Sequence, residues 1–161
     1  EVSPSQIRLP VKGMAITLNG IAQGYITDRI ADLMHNSGLD RVLVQMGEIH
    51  GRAPNNQPWR IGLDGLSDQV SLTTGAVATS SGSGTKFSNT ANHLINPANG
   101  ASARHYNSVS IIAARAMTAD AISTAIYTAA KSLSAEISSA SGIQGFVLEH
   151  ADGRIERSWD S

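Results

Sequence analysis

A chain of 161 residues with 41% hydrophobic and 16% charged content is long and apolar enough for one core, so a single domain spanning 1–161 is expected. Twelve Lys and Arg against thirteen Asp and Glu give a formal net charge of -1 with no run of either sign, which argues against nucleic acid as a partner. No apolar stretch approaches the roughly 20 residues of a membrane-crossing helix, and the absence of cysteine removes disulfides, thiolate zinc sites and cysteine nucleophiles.

Glu1 to Pro10 has neither the basic-plus-apolar character of a signal segment nor low complexity, so the start is expected to be processed or truncated. From Gly24 to Ser37 the apolar residues Ile26, Ile30, Leu33 and Met34 recur at three- and four-residue steps, with Gly38 at the stop, which predicts an amphipathic helix. Arg41 to Met46 reads as a strand with a turn at Gly47. Trp59 to Leu63 and Val70 to Leu72 read as an antiparallel pair, with turns marked by Asn55, Asn56, Pro58 and Asp64-Gly65.

Thr79 to Gly84 is a Ser/Gly cluster, and Phe87 to Tyr106, rich in Asn, Ala, Gly and His, is expected to be a long ordered loop. Loops of that length are uncommon in compact domains unless they bind something. Ser108 to Ala113 reads as a buried strand. Thr118 to Leu133 is predicted as a helix with Thr118 as N-cap and Asp120 in the first turn. Phe146 to Glu149 and Arg154 to Arg157, joined by Asp152-Gly153, close the chain as a hairpin.

Three constellations are candidates for chemistry. The glycine-bearing turn Leu18 to Tyr25 stands before a helix, where free N–H groups and the helix dipole favour anions; the bland alternative is a tight strand-to-helix turn. Asp120 and Thr124, at i and i+4, put a carboxylate and a hydroxyl on one helix face, a geometry suited to Mg²⁺; alternatively Asp120 complements the helix dipole while Thr124 packs. His93, ahead of Pro97 and Gly100 in the long loop, has a side chain able to accept a proton from a hydroxyl near neutrality, although a lone loop histidine is more often a surface residue.

In order, these segments closely resemble the ApbE family of FAD:protein FMN transferases over nearly the whole chain. Asn-Gly-Ile-Ala-Gln-Gly-Tyr at 19 to 25, with Asp28 following, is similar to the family's Gly-Gly-Ile-Ala-Lys-Gly-Tyr and its trailing Asp. Val44 to Glu48, Pro58 to Gly62, Ala78-Thr79-Ser80, His93 to Gly100 and Ala119 to Ala125 follow in the family's sequence. Asn19 and Gln23 replace the usual Gly and Lys, a form similar to the NosX branch tied to nitrous oxide reductase maturation, and Asn96 replaces the usual Asp of the His93 segment.

The resemblance implies an α+β, T-fold-like body, helices on a mixed or antiparallel sheet, lacking the family's N-terminal half. It implies FAD in a cleft lined by Asn19, Gly20, Ile21, Gln23, Gly24, Glu48, Thr79 and Ser80. Mg²⁺ would sit on the pyrophosphate, held by Asp120, Thr124 and the carbonyl of Ala22, with His93 as the base for the attacking hydroxyl. FMN would pass to a Thr or Ser of an acceptor flavoprotein, a NosR-like membrane flavoprotein in the NosX branch, with release of AMP. A periplasmic location is implied too, with the export signal outside this chain. Two other readings remain: a carrier that holds FAD and hands it over intact, and an assembly scaffold that binds no flavin.

Overall fold

The computed structural model describes residues 1–54, 57–63, 66–67, 69–129, 136, 139 and 143–159. The predicted turns at Asn55, Asn56 and Asp64-Gly65, and the predicted helix end at Leu133, lie outside the described residues. An exposed antiparallel ribbon, β1 (Val2–Ser3) and β2 (Gln6–Ile7), precedes helix α1 (Ala22–Asn36). Then come β3 (Val42–Gln45), β4 (Ile49–Arg52), β5 (Trp59–Gly62), β6 (Gln69–Leu72), β7 (Thr74–Ser81), β8 (Lys86–Ser88), β9 (Ala91–Asn92) and β10 (Tyr106–Ala113). Helix α2 (Ala116–Thr128) and strands β11 (Gly145–His150) and β12 (Ile155–Ser158) complete the order.

Six strands form one sheet in the order β12-β11-β10-β7-β4-β3, and every neighbouring pair is antiparallel. Alternation along β10 divides its side chains between two apolar layers. Val109, Ile111 and Ala113 join Ile126 and Tyr127 of α2 on one face, while Ile112, opposite Val77, meets the β5–β6 hairpin residues Ile61, Val70 and Leu72 on the other. The sheet's middle is therefore covered on both sides, and β10 reads as a continuous apolar run for that reason.

The Ser/Gly cluster expected at Thr79 to Gly84 is different in the structure: Thr79, Ser80 and Ser81 are the end of β7, a central strand paired with β4 and β10. Strand β4 had no forecast either. The expected long loop contains the β8–β9 ribbon and a bridge between Ile95 and Ser102.

Helix α1 begins at Ala22, and its face is rotated from expectation. Gly24, Thr27, Asp28 and Ala31 are buried, whereas Ile26, Leu33 and Met34 are exposed and Ile30 is half-buried. The inward face is made of small and polar residues because α1 lies close against α2: a Cβ at Gly24 would stand 2.4 Å from the Ala116 carbonyl oxygen.

Helix α2 starts two residues before the expected Thr118, with Arg115 as N-cap and no side-chain cap from within, and Asp120 falls beyond the first turn. Its first N–H groups are satisfied from the other helix. Asp28 Oδ1 accepts from Ala116 N–H at 2.8 Å and Oδ2 from Met117 N–H at 3.0 Å. A buried carboxylate across the helix pair thus does the work of an N-cap.

Candidate active site

The end of β7, the second and third turns of α2, the turn into α1 and the loop after β9 converge on one cleft of about 950 Å³. Its walls include Asn19, Gly20, Ala22, Gln23, Glu48, Thr79, Ser80, His93, Asp120 and Thr124. Ten of the expected site residues, from Asn19 to Thr124 in the chain, therefore meet in one space. Two expected residues do not line it. Ile21 is the N-cap position of α1, its carbonyl accepting from Tyr25 N–H, and Gly24 is buried at the helix crossing.

Gly24 still touches the site through its backbone. Its N–H, in the first turn of α1, donates to Asp120 Oδ2 at 2.9 Å, so the positive end of one helix meets a carboxylate on the other. Asp120 Oδ1 has no partner among the described residues. One turn on, Thr124 stands against the entry to α1, where a Cβ at Gly20 would lie 2.8 Å from the Thr124 methyl. Ser80 Oγ shares hydrogen bonds with Ser123 Oγ at 2.8 Å and Thr124 Oγ1 at 3.2 Å, locking the end of β7 to this face of α2.

Glu48 follows Gly47, whose φ of 102 lies in the left-handed region and whose missing Cβ leaves room for the Gln23 amide at 2.7 Å. The Glu48 carboxyl is buried, and its Oε2 has no hydrogen-bond partner among the described residues. Burial and the nearby Asp120 push its pKa up from 4.5 to about 7, only partly offset by the Thr79 backbone N–H. Burial also raises Asp120, against the opposing pull of the Gly24 N–H. Two carboxyl groups with unfilled oxygens thus share a cleft that favours neutralising them.

His93 is exposed to the cleft and held from behind. Its backbone N–H donates to the Thr85 carbonyl at 3.2 Å, and its ring Nδ1 lies 3.2 Å from the same oxygen. A carbonyl only accepts, so Nδ1 carries the hydrogen and Nε2 of the neutral ring keeps its lone pair. Thr85 and Ser123, which brace His93 and Ser80, were not singled out in the sequence. Ser123 lies three residues after Asp120, a spacing that could have drawn attention to it.

Asp28, in the segment that resembles the family's trailing Asp, does not belong to the cleft. Besides capping α2 it receives His50 Nδ1 at 2.6 Å and lies 3.3 Å from Arg115 Nε, so its oxygens are spent on holding the helices together.

The chain belongs to the ApbE family, whose profile matches residues 1–146. Among curated relatives, it is 29% identical to a FAD:protein FMN transferase of Treponema pallidum, covering 78% of this chain and 41% of the relative. It is 26% identical to the FAD:protein FMN transferase of Escherichia coli K12, covering 91% and 45%. The solved ApbE protein of Thermotoga maritima superposes with a TM-score of 0.81 at 32% identity, covering 91% of this chain and 52% of that one. The flavin transferase ApbE of Vibrio cholerae gives 0.69 at 26%, covering 91% and 50%. The chain thus spans less than half the length of these curated relatives and about half of the solved ones.

Proposed function

We propose that this chain forms the metal- and flavin-handling part of a FAD:protein FMN transferase, which moves FMN from FAD to a Thr or Ser hydroxyl of an acceptor flavoprotein and releases AMP. The observation that carries the reading is the cleft itself. It holds a histidine with an accepting Nε2 on one side and a buried oxygen cluster, Asp120, Thr124 and Glu48, on the other. Its volume of about 950 Å³ lies at the upper end of the range for small-molecule sites, as a dinucleotide requires.

Among the described residues no three His, Cys, Asp or Glu side chains gather to hold a metal. That is compatible with Mg²⁺, which takes few protein oxygens and completes its shell with waters and phosphate. The free Oδ1 of Asp120, the Thr124 hydroxyl and the Ala22 carbonyl offer oxygens of the required kind, and the uncompensated acid pair favours a cation. When bound, Mg²⁺ would polarise the phosphoryl oxygens and neutralise charge developing on them.

His93 Nε2 takes the proton of the acceptor hydroxyl as that oxygen attacks the FMN-side phosphorus of the FAD pyrophosphate. The bond between that phosphorus and the bridging oxygen breaks, and AMP leaves with the electron pair. Asn19 and Gln23, with Thr79 and Ser80, supply neutral donors to the flavin nucleotide where the family pattern has a lysine. Those two replacements support the NosX-like branch, hence a NosR-like acceptor and a periplasmic location. An export signal in the full-length gene is the observation that tests the compartment.

Incubating the chain with FAD, Mg²⁺ and a Thr-containing acceptor peptide should yield a peptide heavier by FMN, with AMP released in equal amount. His93→Ala should lower that transfer by about 10²–10⁴-fold while FAD affinity is largely kept. Labelling of the peptide at the wild-type rate would remove His93 from the reaction. The alternative reading is a carrier that holds FAD and hands it over intact. It predicts FAD binding without AMP release.

A further inference from the structure

A second cleft, of about 490 Å³, adjoins the first and shares Thr79, Ser81 and Ser83 with it. Asn92, at the end of β9, lines the second cleft, and the next residue, His93, just past the strand, lines the first. The charge of the two spaces differs. The first holds the acid pair Glu48 and Asp120, whereas the second is flanked by Lys86 and Arg104, neither of which has an ion pair among the described residues. The one acid in its wall, Glu149, already accepts from Asn107 Nδ2 at 3.0 Å and Ser108 Oγ at 3.1 Å.

We propose that this second cleft is the docking groove for the acceptor polypeptide, which lays an acidic side chain between Lys86 and Arg104 and carries its hydroxyl past Asn92 to His93. This rests on the transferase reading of the first cleft. The two clefts share Thr79, Ser81 and Ser83, and Asn92 of the second precedes His93 of the first, so a chain lying in the second ends beside a nucleotide held in the first. Two unpaired cations at its rim favour an acidic partner and disfavour a basic one.

The test titrates the full chain with two fluorescently labelled Thr peptides, one with Asp and Glu on one side of the Thr and one with Asn and Gln there instead, with and without FAD. The acidic peptide should bind about tenfold more tightly than the amide peptide, and the double variant K86E/R104E should remove that preference while leaving FAD affinity unchanged. K86Q/R104Q should give an intermediate loss, with the melting temperature of both variants unchanged because neither side chain makes a hydrogen bond or ion pair among the described residues. An affinity for the acidic peptide that ignores K86E/R104E, displacement of the peptide by FAD, or no preference in the wild type would overturn the groove. If FAD does not bind but the acidic peptide does, with the expected charge dependence, the groove stands and the transferase reading falls.

Discussion

Two aspartates face each other's helix across the α1–α2 pair, and their fates differ. Asp28 of α1 is saturated: two N–H groups of α2, the His50 ring and the Arg115 guanidinium all reach its oxygens. Asp120 of α2 receives one N–H of α1, and it faces another acid, Glu48, across the cleft. Both are buried to within a few per cent. Burial alone therefore does not separate a structural carboxylate from one held ready for a ligand, whereas the filling of its oxygens does.

Exchanging each charge for an amide should break this symmetry. Asp28→Asn should destabilise the fold by about 3 kcal/mol, since it strips the partner from His50 and one acceptor from the start of α2. Asp120→Asn should leave the melting temperature equal or higher yet abolish Mg²⁺-dependent turnover. Calorimetry with a turnover assay on both variants checks the pair, and equal melting temperatures for the two would erase the distinction.

The acid pair should also show in pH dependence. Glu48 binds its proton more tightly folded than unfolded, so the stability it lends is complete below about pH 4.5 and is lost as pH rises through about 7. Asp120, raised as well, acts in the same direction. Glu48→Gln should flatten that decline and gain about 2–3 kcal/mol near pH 8. Urea midpoints at both ends of the window measure it, and a wild-type stability that climbs across the window would contradict the burial of an unpaired Glu48. Saturating Mg²⁺ should restore part of the loss in the wild type.

Thr124→Val is the gentlest break. It removes one hydroxyl from the Ser80 and Ser123 set and one neutral oxygen from the cation's side of the cleft, so it should weaken Mg²⁺ binding by about tenfold or less and stability by about 1 kcal/mol. A metal titration followed by turnover reads it. A loss as complete as that of Asp120→Asn would mean that the hydroxyl matters as much as the charge.

Segments whose chemistry is local in the chain were readable from the residues. Asp120 and Thr124 drew notice by helical spacing and His93 by its turn, each beside a bland alternative, and only the family resemblance gave them roles. The run Ser108 to Ala113 announced a buried strand because both its faces are covered. Strand β7 could not be read in that way: Thr74 to Ser81 is small and polar, and its burial comes from β4, β10 and α2, which lie elsewhere in the sequence. The same holds for the cap of α2. Thr118 satisfied the local rule for an N-cap, but Asp28, 88 residues away from Ala116, took the place. In α1 the apolar period was real and pointed outward, because the side facing α2 had room only for small residues.

Gly24 ties these matters together. Any side chain there would meet the Ala116 carbonyl carbon and oxygen within 2.7 Å, and both belong to main chain that cannot step aside. A substitution would therefore pry the two helices apart, and the Gly24 N–H would withdraw from Asp120 in the same movement. Sequence drift is closed at this position for two reasons at once. A residue with no side chain, lining no part of the cleft, thus sets how closely the helix that carries Asp120 lies against the helix that opens beside it.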